Sequence, residues 1–249
     1  MDISIVIPAF EESKKIAADI KAASDFLAAN GLTGEIIVVD DGSKDGTAHV
    51  AEKTGEDLPA GMSLEVVRLP QHRGKGCAVR TGIARSTGKY VMFADSGCCI
   101  SYDNILDGLE LLKSGNCDIA HGSRKLPQSS IQRAQPVHRR VFARLFRWFM
   151  NTMLTMPQGL TDTQCGFKIY RGDVARQLYG RCTSDGFMFD VEIILRAQKA
   201  GYRVTEFPVE WTCDPDSRLS VARTPWPVLR ELIKIRRNLT KEQSDNSSN

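Results

Sequence analysis

The segment Ile36-Ile37-Val38-Val39-Asp40-Asp41-Gly42-Ser43 constrains the fold more than any other, because a run of β-branched apolar residues stops there on two carboxylates and a glycine turn. Such a run predicts a strand buried on both faces of a parallel sheet, with Asp40 and Asp41 at its carboxyl end. The pattern occurs once before, in Ile3-Ser4-Ile5-Val6-Ile7-Pro8-Ala9-Phe10-Glu11-Glu12, and once after, in Tyr90-Val91-Met92-Phe93-Ala94-Asp95-Ser96-Gly97. Three strands should therefore deliver acidic residues to one rim of one sheet, where open α/β folds bind their ligands.

Helical periodicity fills the gaps between these strands. Ser13 is expected to cap a helix that carries Ile16, Ile20, Ala23 and Leu27 on one face, and Gly31 to end it. Helices are also predicted over residues 45–53, 76–85 and 104–113, and strands over 64–68, 89–94 and 118–121. This alternation predicts a doubly wound, mostly parallel α/β sheet. Residues 125–135 are polar and read as a mobile loop. Residues 137–156 read as a long helix rich in Phe, Leu, Met and Trp but studded with Arg139, Arg140, Arg144 and Arg147. The chain divides into a main domain over residues 1–220 and, over 221–249, a basic helix with a frayed polar tail.

With 42% hydrophobic and 25% charged residues among 249, the chain can bury a full core and is neither disordered nor fibrous. A formal charge of +3 gives no argument for a nucleic-acid partner. The seven cysteines are odd in number and form no C-x-x-C pair, and Met1 leads straight into a strand, so reduced thiols in the cytosol are expected. No apolar stretch approaches the roughly 20 residues of a membrane-spanning helix.

Five stretches in order, Pro8 to Glu12, Val39 to Thr47, Arg73-Gly74-Lys75-Gly76, Phe93 to Gly97 and Thr161 to Lys168, resemble the family 2 inverting glycosyltransferases of GT-A fold. Within them the chain is most similar to the dolichyl-phosphate and polyprenyl-phosphate glycosyltransferases, over about residues 2 to 220. The resemblance implies that Pro8, Phe10 and Glu12 hold the base and ribose of a nucleotide sugar. It makes Asp40 the acceptor for the uracil imide N–H, with Asp41 beside it, and Lys75 the cation at the diphosphate. Asp190 and Glu192 match the family's acidic helix start. The residues alone leave a simpler reading open: Asp40 and Asp41 as a turn with Ser43 as helix cap, residues 74–76 as a plain loop, and Asp190 as a cap.

The family's D-x-D element, two aspartates that hold Mg²⁺ or Mn²⁺ against the diphosphate, is incomplete. Asp95 stands at the first position and Gly97 at the second, followed by Cys98 and Cys99, which are expected to be small buried side chains of a strand. A single carboxylate can suffice for Mg²⁺ when phosphates and waters complete the octahedron. Restoring the pair with Gly97→Asp should tighten metal-dependent binding unless the glycine serves a positive φ.

For the acceptor, the resemblance puts basic residues near Arg124, Arg139 and Arg140 opposite a lipid phosphate, a good match to guanidinium geometry. The 137–156 helix would then rest in the headgroup boundary, giving peripheral contact at the cytoplasmic face of the membrane; the alternative is a helix packed on the sheet. Asp162 is the remaining carboxylate to bring near the reacting centre, as base or as orienter of the acceptor and Lys168, or else a turn residue. The phrase Thr163 to Lys168 resembles the glucosyl branch, which implies transfer of glucose from UDP-glucose to a polyprenyl or dolichyl phosphate. The competing readings are a soluble transferase with another acceptor and a nucleotide-sugar-binding protein without turnover. Neither the residues nor the resemblance indicates an oligomeric state.

Overall fold

The structure is a computed structural model that describes residues 1–133, 159–163, 165–212 and 225–247. Seven strands form one sheet in the order β3-β2-β1-β4-β7-β5-β8. They are β1 (Ile3–Ala9), β2 (Gly34–Asp40), β3 (Met62–Arg68), β4 (Tyr90–Ala94), β5 (Ile119–Ser123), β7 (Phe167–Arg171) and β8 (Val204–Pro208). All neighbours run parallel except β7, which lies antiparallel between β4 and β5. The chain thus enters β7 at the rim where β4 and β5 end, so the start of one strand faces the finish of two others.

Side chains alternate across the pleat and make two cores. Ile5, Ile7, Ile36, Val38 and Met92 pack under α1 (Ile16–Ala29) and α4 (Ile105–Lys113). Val6, Ile37, Val39 and Phe93 pack under α3 (Lys75–Arg85), α5 (Gly172–Gly180) and α6 (Phe189–Lys199). Each fully buried Ile or Val of these strands is worth about 1.5–3 kcal/mol of burial, which explains why β1 and β2 can be apolar through their middle; the polar pair Ser4 and Glu35 satisfy each other at 2.6 Å. The mostly parallel, doubly wound α/β sheet expected from the sequence is present.

Local expectations fail where hydrogen bonds were assigned to the wrong partner. Ser13 does not cap α1; its N–H donates to Asp45 Oδ2 at 3.0 Å, and α1 starts at Ile16 with no side-chain cap. The second helix, α2 (Thr47–Gly55), begins two residues later than expected because Asp45 Oδ1 accepts the Thr47 N–H at 3.0 Å. Inside the expected 125–135 loop, β6 (Ser130–Arg133) forms and pairs in parallel with β9 (Glu210–Thr212), a contact no local pattern announces. The C-terminal helix α7 (Pro225–Ser247) runs into the 241–249 stretch expected to fray, whose last two residues lie outside the described residues. Its Leu232 and Ile235 are buried, and its Glu242 pairs with Arg196 of α6 at 3.0 Å. The arginine-rich 137–156 segment, including Arg139 and Arg140, lies outside the described residues.

Candidate active site

Parallel pairing puts Ala9 opposite Asp40, so the ends of β1 and β2 form one ledge, with β4 on the far side of β1. Pro8 is the next-to-last residue of β1, and Phe10 follows the strand's end at Ala9. The Phe10 ring stacks on His72, with centroids 4.0 Å apart and planes at 24°. Asp41 is 2% exposed and holds the 72–74 loop: its carboxylate accepts the N–H groups of Arg73 at 2.8 Å and Gly74 at 2.7 Å, and His72 Nδ1 lies 2.8 Å away. Asp40 Oδ1 accepts the Ser43 N–H at 3.0 Å. Ser43, expected as a helix cap, instead accepts the Glu11 N–H at 2.8 Å. The Glu12 N–H donates to Thr47 Oγ1 at 2.9 Å, and its carboxylate lies 3.7 Å from Lys15. Phe10, Asp40, Asp41 and Glu12 thus meet at one rim, as the sequence implied.

Lys75, the first residue of α3, forms an ion pair with Asp95. Its ammonium also lies 5.6 Å from the Phe93 ring centre and 5.8 Å from that of Phe189. Burial would lower its pKa, but the carboxylates of Asp95 and Asp190 outweigh that and hold it above the usual lysine value. Beside it, the Lys168 ammonium donates to Asp190 Oδ1 and to the Cys165 carbonyl, each at 2.6 Å. Asp190 is therefore not a helix cap but the buried counter-ion of Lys168, and burial raises its carboxyl pKa against the pull of Lys168 and Lys75. Gly166 lets β7 approach: a Cβ there would collide with the Asp95 carboxylate.

On the other side of β7, Arg124 and Asp162 make a two-pronged pair, Nε to Oδ2 at 2.6 Å and Nη2 to Oδ1 at 2.9 Å. Arg124 also faces the Trp211 ring at 5.4 Å. Asp162 is 1% exposed; burial works against its charge, but Arg124 and then Lys125 hold its carboxyl well below the usual carboxylate range. Its backbone N–H donates to Glu206 Oε1 at 2.8 Å. The expectation that Asp162 orients Lys168 is not met, since Asp190 does so.

Sequence reasoning missed two buried groups here. His121 is opposite Lys168 across β5 and β7, 0% exposed, and burial and then Lys168 drive its imidazole pKa well below the ordinary value. Asp19 lies on α1, also buried, and its carboxylate receives the loop after β4. The available signal for Asp19 was its place between Ile16 and Ala23 on the otherwise apolar stripe; for His121 it was only a histidine in a short strand.

The loop after β4 is not a strand, which corrects the reading of its cysteines. Cys98 is exposed and Cys99 partly so, while the six described cysteines are all free. Asp95 is the carboxylate of this loop, and its side chain is 38% exposed. Among the described residues no three His, Cys, Asp or Glu side chains gather as a metal cage. One accessible carboxylate fits a hard divalent cation whose remaining ligands are phosphate oxygens and water, and does not fit a self-contained site. Among the described residues, no helix is long and apolar enough to cross a membrane.

The sheet order, with one antiparallel strand and acidic residues on the rim of β1, β2 and β4, is the architecture of a GT-A glycosyltransferase. Solved structures share it over nearly the whole chain: mannosyl-3-phosphoglycerate synthase from Rubrobacter xylanophilus has a TM-score of 0.68 and 17% identity, covering 97% of this chain and 75% of that one. Glucosyl-3-phosphoglycerate synthase from Mycobacterium tuberculosis, in complex with Mn²⁺, UDP and glucosyl-3-phosphoglycerate, has a TM-score of 0.66 and 17% identity, covering 96% and 79%. The chain belongs to glycosyl transferase family 2, whose family model matches residues 4–179. It is 30% identical to a dolichyl-phosphate beta-glucosyltransferase of Dictyostelium discoideum, over 94% of this chain and 73% of that protein. The enzyme of the same description from Homo sapiens is 30% identical, over 87% and 69%, and that from Saccharomyces cerevisiae 26%, over 94% and 74%.

Proposed function

We propose that this glycosyltransferase moves glucose from UDP-glucose, with inversion, onto a dolichyl or polyprenyl phosphate at the cytoplasmic surface of a membrane. The observation that carries the reading is the match along most of the chain to relatives described as dolichyl-phosphate beta-glucosyltransferases. The neighbour solved in complex with Mn²⁺ and UDP supports a uridine nucleotide and a divalent cation, Mg²⁺ or Mn²⁺.

In this reading Pro8, Phe10, Glu12, Asp40 and Asp41 form the nucleoside end, with a carboxylate acceptor suited to the imide N–H of uracil. Lys75 and Asp95 face the diphosphate, Asp95 as the protein's ligand to the cation, which supplies charge neutralisation to the leaving group. Lys75 is held charged, so it meets developing negative charge without a proton transfer. Arg124 receives the acceptor phosphate, and Asp162 fixes its guanidinium plane. A phosphate monoester is already anionic at neutral pH, so no general base is required. That agrees with a carboxylate as strongly engaged as Asp162, which is a poor proton acceptor. Lys168 is anchored by Asp190 and by the Cys165 carbonyl near the start of β7.

The test is release of UDP from UDP-glucose by the full chain in the presence of dolichyl phosphate and Mn²⁺, with product stereochemistry read by NMR. Turnover with a soluble phosphate acceptor and none with lipid phosphate would replace the acceptor. Binding of UDP-glucose without turnover on any acceptor would leave a nucleotide-sugar-binding protein.

A further inference from the structure

The loop after β4 has a backbone that most side chains resist: Gly97 has φ +95° and Cys98 φ +47°. In this turn the two successive N–H groups point to the same side and form a small anion-binding hollow. One carboxylate fills it. The Gly97 N–H lies 2.8 and 3.0 Å from the two oxygens of Asp19, the Cys98 N–H lies 2.9 Å from Oδ1, and the Cys98 thiol donates to Oδ1 at 3.1 Å. Asp19 is 1% exposed and belongs to α1, a different element from the loop it holds. Burying a carboxylate is costly unless its hydrogen bonds are made, and here the loop makes them. Two residues upstream of Gly97, the same loop carries Asp95, whose side chain stays partly accessible.

We propose that Asp19 is a positioning residue for the donor end: by filling the hollow made by the Gly97 and Cys98 N–H groups, it fixes the loop that aims Asp95 at a divalent cation and diphosphate. This rests on the nucleotide-sugar reading above. The second carboxylate of the D-x-D element is then not lost but moved to a helix, where it acts on the backbone rather than on the cation. Gly97→Asp is accordingly expected to weaken binding, because a side chain at φ +95° strains the turn that Asp19 stabilises.

The test is calorimetric titration of the full chain with UDP, with and without Mn²⁺. Asp19→Asn keeps the shape but turns an amide N–H₂ toward one of the two donors. It should leave metal-free UDP affinity unchanged and cut the gain given by Mn²⁺ by about tenfold, the worth of charge-assisted hydrogen bonds. A general loss of structure would instead lower both. Gly97→Ala should give the same loss through the turn itself, and Cys98→Gly, which adopts positive φ freely, should give none; these carry the test if Asp19→Asn does not fold. A second readout needs no nucleotide. Burial and then Asp19 push the Cys98 thiol up to about 12. Releasing it in Asp19→Asn should speed alkylation of Cys98 by about tenfold for each unit of pKa recovered, read by peptide mapping. A folded Asp19→Asn chain with the full Mn²⁺ gain, or with unchanged Cys98 alkylation, overturns the positioning role. A wild-type chain without any Mn²⁺ gain overturns the donor reading, and the aiming of Asp95 with it, whatever the alkylation shows.

Discussion

The nucleoside rim and the centre around β7 satisfy their buried carboxylates in different ways. At the rim, Asp40 and Asp41 accept mainly backbone N–H groups of their own turn and the neighbouring loop. On the two sides of β7, Asp162 and Asp190 are matched to the cationic side chains Arg124 and Lys168. A backbone donor that loses its acceptor at an open rim can turn to water, and a neutral isostere can still accept. A buried cation that loses its partner cannot, so the centre around β7 ties stability to chemistry while the rim keeps them apart.

The largest effect expected from breaking this contrast is at Asp190→Ala, which strands the Lys168 ammonium with its side chain 2% exposed. It should cost about 3–5 kcal/mol in denaturant unfolding, and Asp190→Leu combined with Lys168→Met should recover most of it, since a buried pair replaced by apolar groups is close to neutral. If the single substitution is mild, the two sides do not differ as described. Next comes Arg124→Ala, for which transfer should fall by about 100-fold or more while UDP affinity stays level, the pattern of a group used on the acceptor alone. Equal loss of both would move Arg124 to the donor. Asp40→Asn should weaken UDP binding by about tenfold, with a melting temperature close to wild type; a large fall in melting temperature would show that the rim, too, is structural.

The smallest effect is in pH. The Asp162 pKa is depressed in the folded chain, so its contribution is present above the unfolded value of about 3.9 and is lost as pH falls through the folded value. The stability difference between wild type and Asp162→Asn should therefore be flat from pH 8 to 5 and shrink below about pH 4, as followed by thermal melts. A difference that declines already between pH 7 and 5 would contradict a tight Arg124 pair.

The rim was legible because its chemistry lies at the ends of contiguous apolar runs: reading where β1, β2 and β4 stop was enough to bring Phe10, Asp40 and Asp95 together. The partners were not. Ser43 looked like a cap until Glu11, 32 residues earlier, proved to be its donor. Asp190 looked like a cap because helix starts favour carboxylates, and nothing local distinguishes that use from a counter-ion to Lys168. Cys98 and Cys99 looked like strand residues because the apolar pattern of β4 gives no sign that the chain turns left-handed two residues beyond Asp95.

By itself the sequence determined the doubly wound parallel sheet, the succession of its first four strands along the chain and the acidic rim, because β-branched runs and helical stripes are local and burial acts on them one element at a time. Only the tertiary structure decided that β7 runs antiparallel between β4 and β5, that Asp162 belongs to Arg124 and Asp190 to Lys168, and that Asp19 closes the loop after Asp95. Those choices depend on which buried charge or N–H group finds a partner within hydrogen-bonding reach, and that distance is set by how separate elements pack.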